Sequence, residues 1–223
     1  MRAGLLPAAV LFDLDGTLID TEPVWMAQEQ KLVAEFGGTW TTEQARSMIG
    51  TALPAAGARL RDEGGVALPV EAIVARLVDR VEGAVRREVP WQPGARRLLA
   101  RLTEVGIPLA LVTMSYRRLV EAFLREVPPD TFGAVVTGDE VSEGKPHPEP
   151  YLTAARLLGI DPADCVVVED SRIGVASGLA AGARVLAVRA SAPLDGLPRG
   201  VPVLASLEEA AARILPEQVS SRP

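Results

Sequence analysis

Ala8-Ala9-Val10-Leu11-Phe12-Asp13-Leu14-Asp15-Gly16-Thr17 is an unbroken apolar run that ends on two aspartates and a glycine. A continuous run of this length suits the centre of a parallel sheet covered on both faces. Asp13 and Asp15 stand two residues apart where extended chain ends, a spacing that turns both carboxylates to the same side. Gly16 permits a tight turn close to a ligand, and Thr17 adds a hydroxyl. In open α/β sheets, ligands bind beyond the carboxyl ends of the strands. Two acids there are costly unless a cation or a shared proton offsets their repulsion. On this stretch alone, a solvated acidic loop and a built site fit equally well.

Outward from that strand, short apolar runs recur at residues 107–112, 134–137, 165–168 and 184–188, with a weaker one at 202–204. Amphipathic stretches at 117–127, 149–158, 174–181 and 207–214 alternate with them. The pattern predicts an α/β fold, a doubly wound (Rossmann-like) parallel sheet. Residues 21–91 break the rhythm: helical patterns at 24–36, 42–49, 53–61 and 70–89 follow one another with no strand between them. A helical insertion after the first strand is the simplest reading. It gives a core of residues 1–18 and 92–215, an inserted small α-helical domain at 19–91, and a loose tail at 216–223. Candidate hinges lie at 18–20 and 90–93.

The 223 residues are 48% hydrophobic and 23% charged, enough to bury a substantial core, and the net charge of -6 argues against a nucleic-acid-binding module. One cysteine, Cys165, excludes an internal disulfide and fits a reducing compartment. The apolar run at residues 3–12 contains Pro7 and lacks a small-residue cleavage site, so it reads as a lead-in and a strand, not a signal peptide. No stretch reaches the length of a membrane span. A cytoplasmic monomer is expected. Arginine supplies 21 of the 23 basic residues and asparagine is absent, a bias of A-poor codons. The two lysines retained against it, Lys31 and Lys145, are therefore informative.

A second acidic strand end, Val166-Val167-Val168-Glu169-Asp170-Ser171, leads through Gly174 into a helical pattern. Two acidic ends in one sheet suggest a shared hard cation, and Mg²⁺ prefers oxygen ligands with a phosphate completing its octahedron. Thr113-Met114-Ser115 ends another strand with hydroxyls at a helix start, a setting for phosphate oxygens and equally for ordinary helix caps. Lys145 sits in the stiff, proline-bounded loop Gly144-Lys145-Pro146-His147-Pro148.

In order and spacing these elements resemble the haloacid dehalogenase-like hydrolase superfamily, in its small-helical-cap, beta-phosphoglucomutase/phosphoglycolate phosphatase-like subgroup. Residues 13–21 match the first motif, Thr113 the second, Lys145 the third and Glu169-Asp170-Ser171 the fourth. The resemblance implies a phosphatase acting on a small phosphorylated metabolite, such as a sugar phosphate, through an aspartyl-phosphate. Asp13 would be the nucleophile, Asp15 the general acid and base, and Lys145 the counter-charge. Asp13 and Asp170 would bind Mg²⁺ through carboxylates and Asp15 through its main-chain carbonyl, with Glu169 behind them.

Thr113, Met114, Ser115 and Lys145 would frame the substrate phosphate, although Met114 departs from the small or polar residue usual at its position. Glu22 and Trp25 of the cap would face the substrate, with Gln28, Arg46, Thr51 and Arg59 as further candidates. His147, the sole histidine, reads as a loop residue. A mutase of the beta-phosphoglucomutase type is the rival within enzymes, and the cap lacks the histidine such mutases carry. A non-catalytic phosphometabolite-binding protein would have lost one of Asp13, Asp15, Lys145 or Asp170, and all four are present.

Overall fold

The structure, a computed structural model, describes residues 6–49, 51–189 and 194–215. The expected tail at 216–223 and the first residues of the lead-in lie outside the described residues. Six strands form one all-parallel sheet: β1 (Ala9–Phe12), β2 (Leu109–Val112), β3 (Ala134–Val136), β4 (Cys165–Glu169), β5 (Arg184–Val188) and β6 (Val203–Leu204). Their order is β3-β2-β1-β4-β5-β6, the doubly wound arrangement. The chain winds from β1 to β3 on one side and restarts at β4 on the other, so β1 and β4 flank the switch point.

β1 alternates its side chains between two cores. Val10 and Phe12 join a cluster with Leu98, Leu102 and Phe123. Ala9 and Leu11 join another with Tyr151, Ala154 and Val175. Helices α5 (Ala95–Val105), α6 (Arg117–Leu124) and α9 (Leu207–Ile214) supply the first cover, and α7 (Glu149–Leu158) and α8 (Arg172–Ala180) the second. Burial on both faces explains why these strands read as continuous apolar runs. Helix α5 is an addition to the sequence reading, which places no helix between Pro93 and Ile107. Its apolar face, Ala95, Leu98, Leu99 and Leu102, has helical spacing but is interleaved with Arg96, Arg97 and Arg101.

Between β1 and α5 lie four helices: α1 (Glu22–Glu35), α2 (Thr42–Arg46), α3 (Leu53–Asp62) and α4 (Val70–Val85). No strand occurs among the described residues of this segment. Leu32, Val33, Leu60, Ile73, Leu77 and Val81 build a third cluster that also takes in Leu119 and Ala122 of α6. One helix thus serves two cores, since Val120 and Phe123 of α6 face the sheet. α4 stops at Val85, four residues before the expected limit. Beyond it the two linkers run side by side: the Asp20 N–H donates to the Pro90 carbonyl at 2.7 Å and the Gln92 N–H to the Leu18 carbonyl at 2.9 Å, with Ile19 bridged to Trp91.

The helical layer carries a buried acid. Glu29 is 6% exposed and accepts a hydrogen bond from Trp40 Nε1 at 3.3 Å. Burial pushes its carboxyl up to about 7, against the help of Trp40 and Arg59. Among the described residues, no helix is long and apolar enough to cross a membrane.

Two stability outcomes follow from this packing. Phe123 is fully buried, with its ring centroid 5.2 Å from Trp91 and 6.3 Å from Phe132. Phe123→Ala should cost about 3–5 kcal/mol in denaturant unfolding; a loss below about 1 kcal/mol would show that the site collapses freely. A raised folded pKa means that the Glu29 contribution is complete below about 4.5 and is lost as pH rises through about 7. Glu29→Gln should therefore raise Tm by roughly 5 °C at pH 8 and leave it nearly unchanged at pH 4.5. Equal shifts at both pH values would contradict that origin.

Candidate active site

Three strand ends converge. Asp13 follows β1, and its N–H donates to the Val168 carbonyl of β4 at 3.1 Å, which draws the two acidic ends together. Gly16 has φ +89°, and a Cβ there would stand 2.1 Å from Asp170 Oδ2. Only glycine lets the first loop pass beneath the second acidic end.

The Lys145 ammonium joins them. Nζ donates to Asp13 Oδ1 at 2.7 Å, Glu169 Oε1 at 2.6 Å and the Val112 carbonyl at 2.9 Å. All three of its protons are thereby placed. Burial opposes its charge, yet the two carboxylates outweigh burial and raise its pKa. Glu169 is saturated: Oε1 also accepts from Tyr151 Oη at 2.9 Å, and Oε2 accepts from the Asp170 N–H, the Ser171 N–H and Ser171 Oγ. A Cβ on Gly174 would fall 1.7 Å from Glu169 Oε1, so that glycine makes room for this carboxylate. Tyr151, fully buried on α7, has no signal in the sequence, where an aromatic on an amphipathic helix reads as core.

Two carboxylate oxygens in this saturated setting are bare. Asp13 Oδ2 and Asp170 Oδ2 are buried and have no hydrogen-bond partner among the described residues. Ligand oxygens of Asp13, Glu169 and Asp170 lie within 4.8 Å of one another. Burial pushes the Asp13 carboxyl up to about 7, with Lys145 opposing the rise. Burial, reinforced by Asp13 and Glu169, holds the Asp170 carboxyl well above the usual range. An all-oxygen set with two bare carboxylate oxygens fits a hard divalent cation such as Mg²⁺.

Asp15 points elsewhere. Its carboxylate accepts from Thr21 Oγ1, from Trp25 Nε1 at 3.5 Å, from Thr113 Oγ1 at 3.1 Å and from Ser115 Oγ at 2.7 Å. The sequence reading gives the Thr113 and Ser115 hydroxyls to phosphate; here both are donated to Asp15 Oδ2. Met114 braces the lysine loop: its Sδ accepts the Lys145 N–H at 3.2 Å, and a Cβ on Gly144 would come 2.8 Å from its Cε.

Above these groups, between the strand ends and the helical layer, opens a pocket of about 700 Å³, mouth included. Asp13, Asp15, Thr113, Met114, Ser115, Lys145 and Asp170 form its floor. Glu22, Trp25 and Thr51 reach it from the helical layer, as the sequence suggests. Gln28, Arg46 and Arg59 do not line it, which corrects their reading as substrate-facing. Arg59 is engaged with Glu63 at 2.8 Å and Ser47 at 3.0 Å and lies over the Trp40 ring. Met26, Glu29 and Met48, which the sequence reading does not single out, do line it. Glu22 is 7% exposed, and burial together with the nearby Asp15 charge pushes its carboxyl up to about 8. His147 is exposed outside the pocket, with Nδ1 accepting the Glu149 N–H.

Hexitol phosphatase A of Escherichia coli (strain K12) is 37% identical over 214 residues, covering 89% of this chain and 91% of that protein. The bifunctional riboflavin kinase/FMN phosphatase of Arabidopsis thaliana is 35% identical over 185 residues, 82% of this chain, and this chain spans only about half (48%) of its length. The crystal structure of CbbY from Rhodobacter sphaeroides in complex with xylulose-(1,5)bisphosphate superposes with a TM-score of 0.83 at 28% identity, over 92% of this chain and 96% of that one. The family model for haloacid dehalogenase-like hydrolases matches residues 10–188, and the chain belongs to that family.

Proposed function

We propose that this protein is a Mg²⁺-dependent phosphatase that hydrolyses a small phosphorylated carbohydrate or related phosphomonoester through a phosphoryl group carried on Asp13. The observation that carries the reading is the contrast at the strand ends. Lys145 fixes one oxygen of Asp13 at 2.7 Å, while Asp13 Oδ2 and Asp170 Oδ2 are buried without a partner. Relatives named as phosphatases of hexitol phosphates and other phosphorylated carbohydrates support the same reading.

Asp13 and Asp170 would hold the cation, with the main-chain carbonyl of Asp15 as a further ligand. Bound there, Mg²⁺ offsets the acidic cluster and the charge of the phosphate oxygens. In the first half-reaction an Asp13 oxygen bonds to phosphorus and the bond from phosphorus to the leaving oxygen breaks. Asp15 gives that oxygen its proton. In the second, water attacks phosphorus, Asp15 takes the water proton, and the bond to Asp13 breaks to release phosphate. Asp15 suits both tasks because its carboxyl hangs among hydroxyls and an indole N–H, which serve either protonation state. Lys145 favours the ionised form of Asp13 against burial and meets the negative charge at phosphorus. Thr113, Met114 and Ser115 frame the phosphoryl position.

The helical layer, residues 19–91, acts as the cap over a core of residues 1–18 and 92–215. It excludes water and shapes the space for the leaving group. A monomer acting in the cytoplasm completes the proposal. No imidazole lines the pocket, which favours hydrolysis over the mutase reading.

Asp13→Asn should lower the Mg²⁺-dependent kcat by at least about 10³-fold with far-UV dichroism unchanged. Near-normal turnover would sink the nucleophile assignment. For the cation, Mg²⁺ added to chelator-treated protein should raise Tm by several degrees, and Asp170→Asn should abolish that response. A variant that still responds fully would remove Asp170 from the ligand set.

A further inference from the structure

Helix α1 turns Glu22, Trp25, Met26 and Glu29 into the pocket, spaced i, i+3, i+4 and i+7 along one face. Two of these four are carboxyls, and both are more than nine-tenths buried. Glu22 has no hydrogen-bond partner among the described residues. Glu29 Oε2 accepts from Trp40 Nε1, and its Oε1 has no hydrogen-bond partner among the described residues. Neither carboxyl is fully enclosed: both residues line the pocket, where a ligand hydroxyl can reach their open oxygens.

The charge balance of the pocket is one-sided. Among the described residues its only cationic lining side chain is Lys145, whose three protons are committed to Asp13, Glu169 and the Val112 carbonyl. Arg46 and Arg59 lie off the lining. A second anionic group on the substrate, placed toward α1, would meet Asp15, Glu22 and Glu29 with no second cation on the lining; Arg59, which acts on Glu29 from outside it, is already paired with Glu63. Hydroxyls satisfy the same groups: each donates to a carboxyl oxygen and accepts from a protonated one. An ammonium would require both carboxyls ionised, which burial opposes.

The spacing adds a length. Seven residues of helix separate Glu22 from Glu29, about 10 Å along the axis. Glu22 stands beside Asp15, where the leaving oxygen departs, so a group reaching Glu29 must extend well beyond a three-carbon chain.

We propose that the pocket selects phosphomonoesters whose leaving group is an uncharged polyhydroxylated chain of about five or six carbons, held by Glu22 and Glu29 at a separation fixed by the helix rise, and rejects esters carrying a second phosphate or a carboxylate. This rests on the phosphatase reading above. It makes Glu22 and Glu29 specificity-determining residues, and Trp25 and Met26 the apolar bed for the carbon chain.

The test compares kcat/KM of the full chain with Mg²⁺ on sorbitol 6-phosphate, glycerol 3-phosphate, 2-phosphoglycolate, fructose 1,6-bisphosphate, O-phosphoethanolamine and p-nitrophenyl phosphate. Sorbitol 6-phosphate should exceed phosphoglycolate and the bisphosphate by about 100-fold and glycerol 3-phosphate by about 10-fold. Glu22→Ala and Glu29→Ala should each raise KM for sorbitol 6-phosphate by about 10-fold. Glu29→Arg should narrow the preference over the bisphosphate by at least about 10-fold. If Glu29→Arg does not fold, the two alanine variants carry the test.

Comparable turnover of the polyol ester and the anionic esters, a preference for O-phosphoethanolamine, or alanine variants with unchanged KM would each overturn the inference. In each of those cases p-nitrophenyl phosphate turnover would leave the phosphatase reading standing. Inactivity on every ester, p-nitrophenyl phosphate included, would overturn both.

Discussion

The Lys145 ammonium lies against Asp13 and Glu169 at 2.7 and 2.6 Å, and three buried carboxylates can share one patch of the sheet only because it does. Like charges this close, out of water, oppose one another strongly, and a single cation cannot neutralise three. Burial first, and then this imbalance, raises the Asp13 and Asp170 carboxyls, and each leaves one oxygen bare. Much of the surrounding structure exists to seat that one ammonium. Val112 gives it a carbonyl, Met114 braces the chain that carries it, and Tyr151 backs it with a ring centroid 5.0 Å away.

The three carboxylates are not equivalent, and their differences come from hydrogen bonding. Glu169 takes five donors and has neither oxygen bare. Asp13 and Asp170 each keep an oxygen free. Asp15, only two residues from Asp13, escapes the cluster because Thr21, Thr113 and Ser115 draw it to the other side of the loop. One short stretch of chain thus presents two acids in different electrostatic settings, which is what separate nucleophilic and proton-transferring roles require.

The fold was largely legible because its signals are local. Apolar runs marked the strands, and the run of helices with no strand marked the insertion. Asp13, Asp15, Lys145 and Asp170 were legible because their order along the chain matches a family pattern. What the sequence hid depends on contacts between distant segments. Tyr151 reaches Glu169 from a helix that looks like ordinary core. Glu29 becomes a pocket residue only because the face of α1 follows its seven-residue spacing down toward the strand ends. Arg46 and Arg59 looked like substrate ligands by residue type, and the fold turns them away from the pocket. α5 was missed because arginines dilute its apolar stripe, although glycines with φ of +83° and +79° bound it at residues 94 and 106.

The paired linkers set a mechanical condition on the pocket. Both covalent crossings into the helical layer sit side by side, tied by the 2.7 and 2.9 Å bonds between residues 18–20 and 90–92. The layer is also packed on α6 through Leu119 and Ala122, so rotation about the linker line has to repack that contact, while sliding would break both linker bonds as well. Displacement then grows with distance from the axis. Glu22, two residues past the bond at Asp20, has a short lever arm for such a rotation. Glu29, two helical turns farther out, sweeps a longer arc. Such a rotation would move the Asp15 end of the pocket less than the Glu29 end.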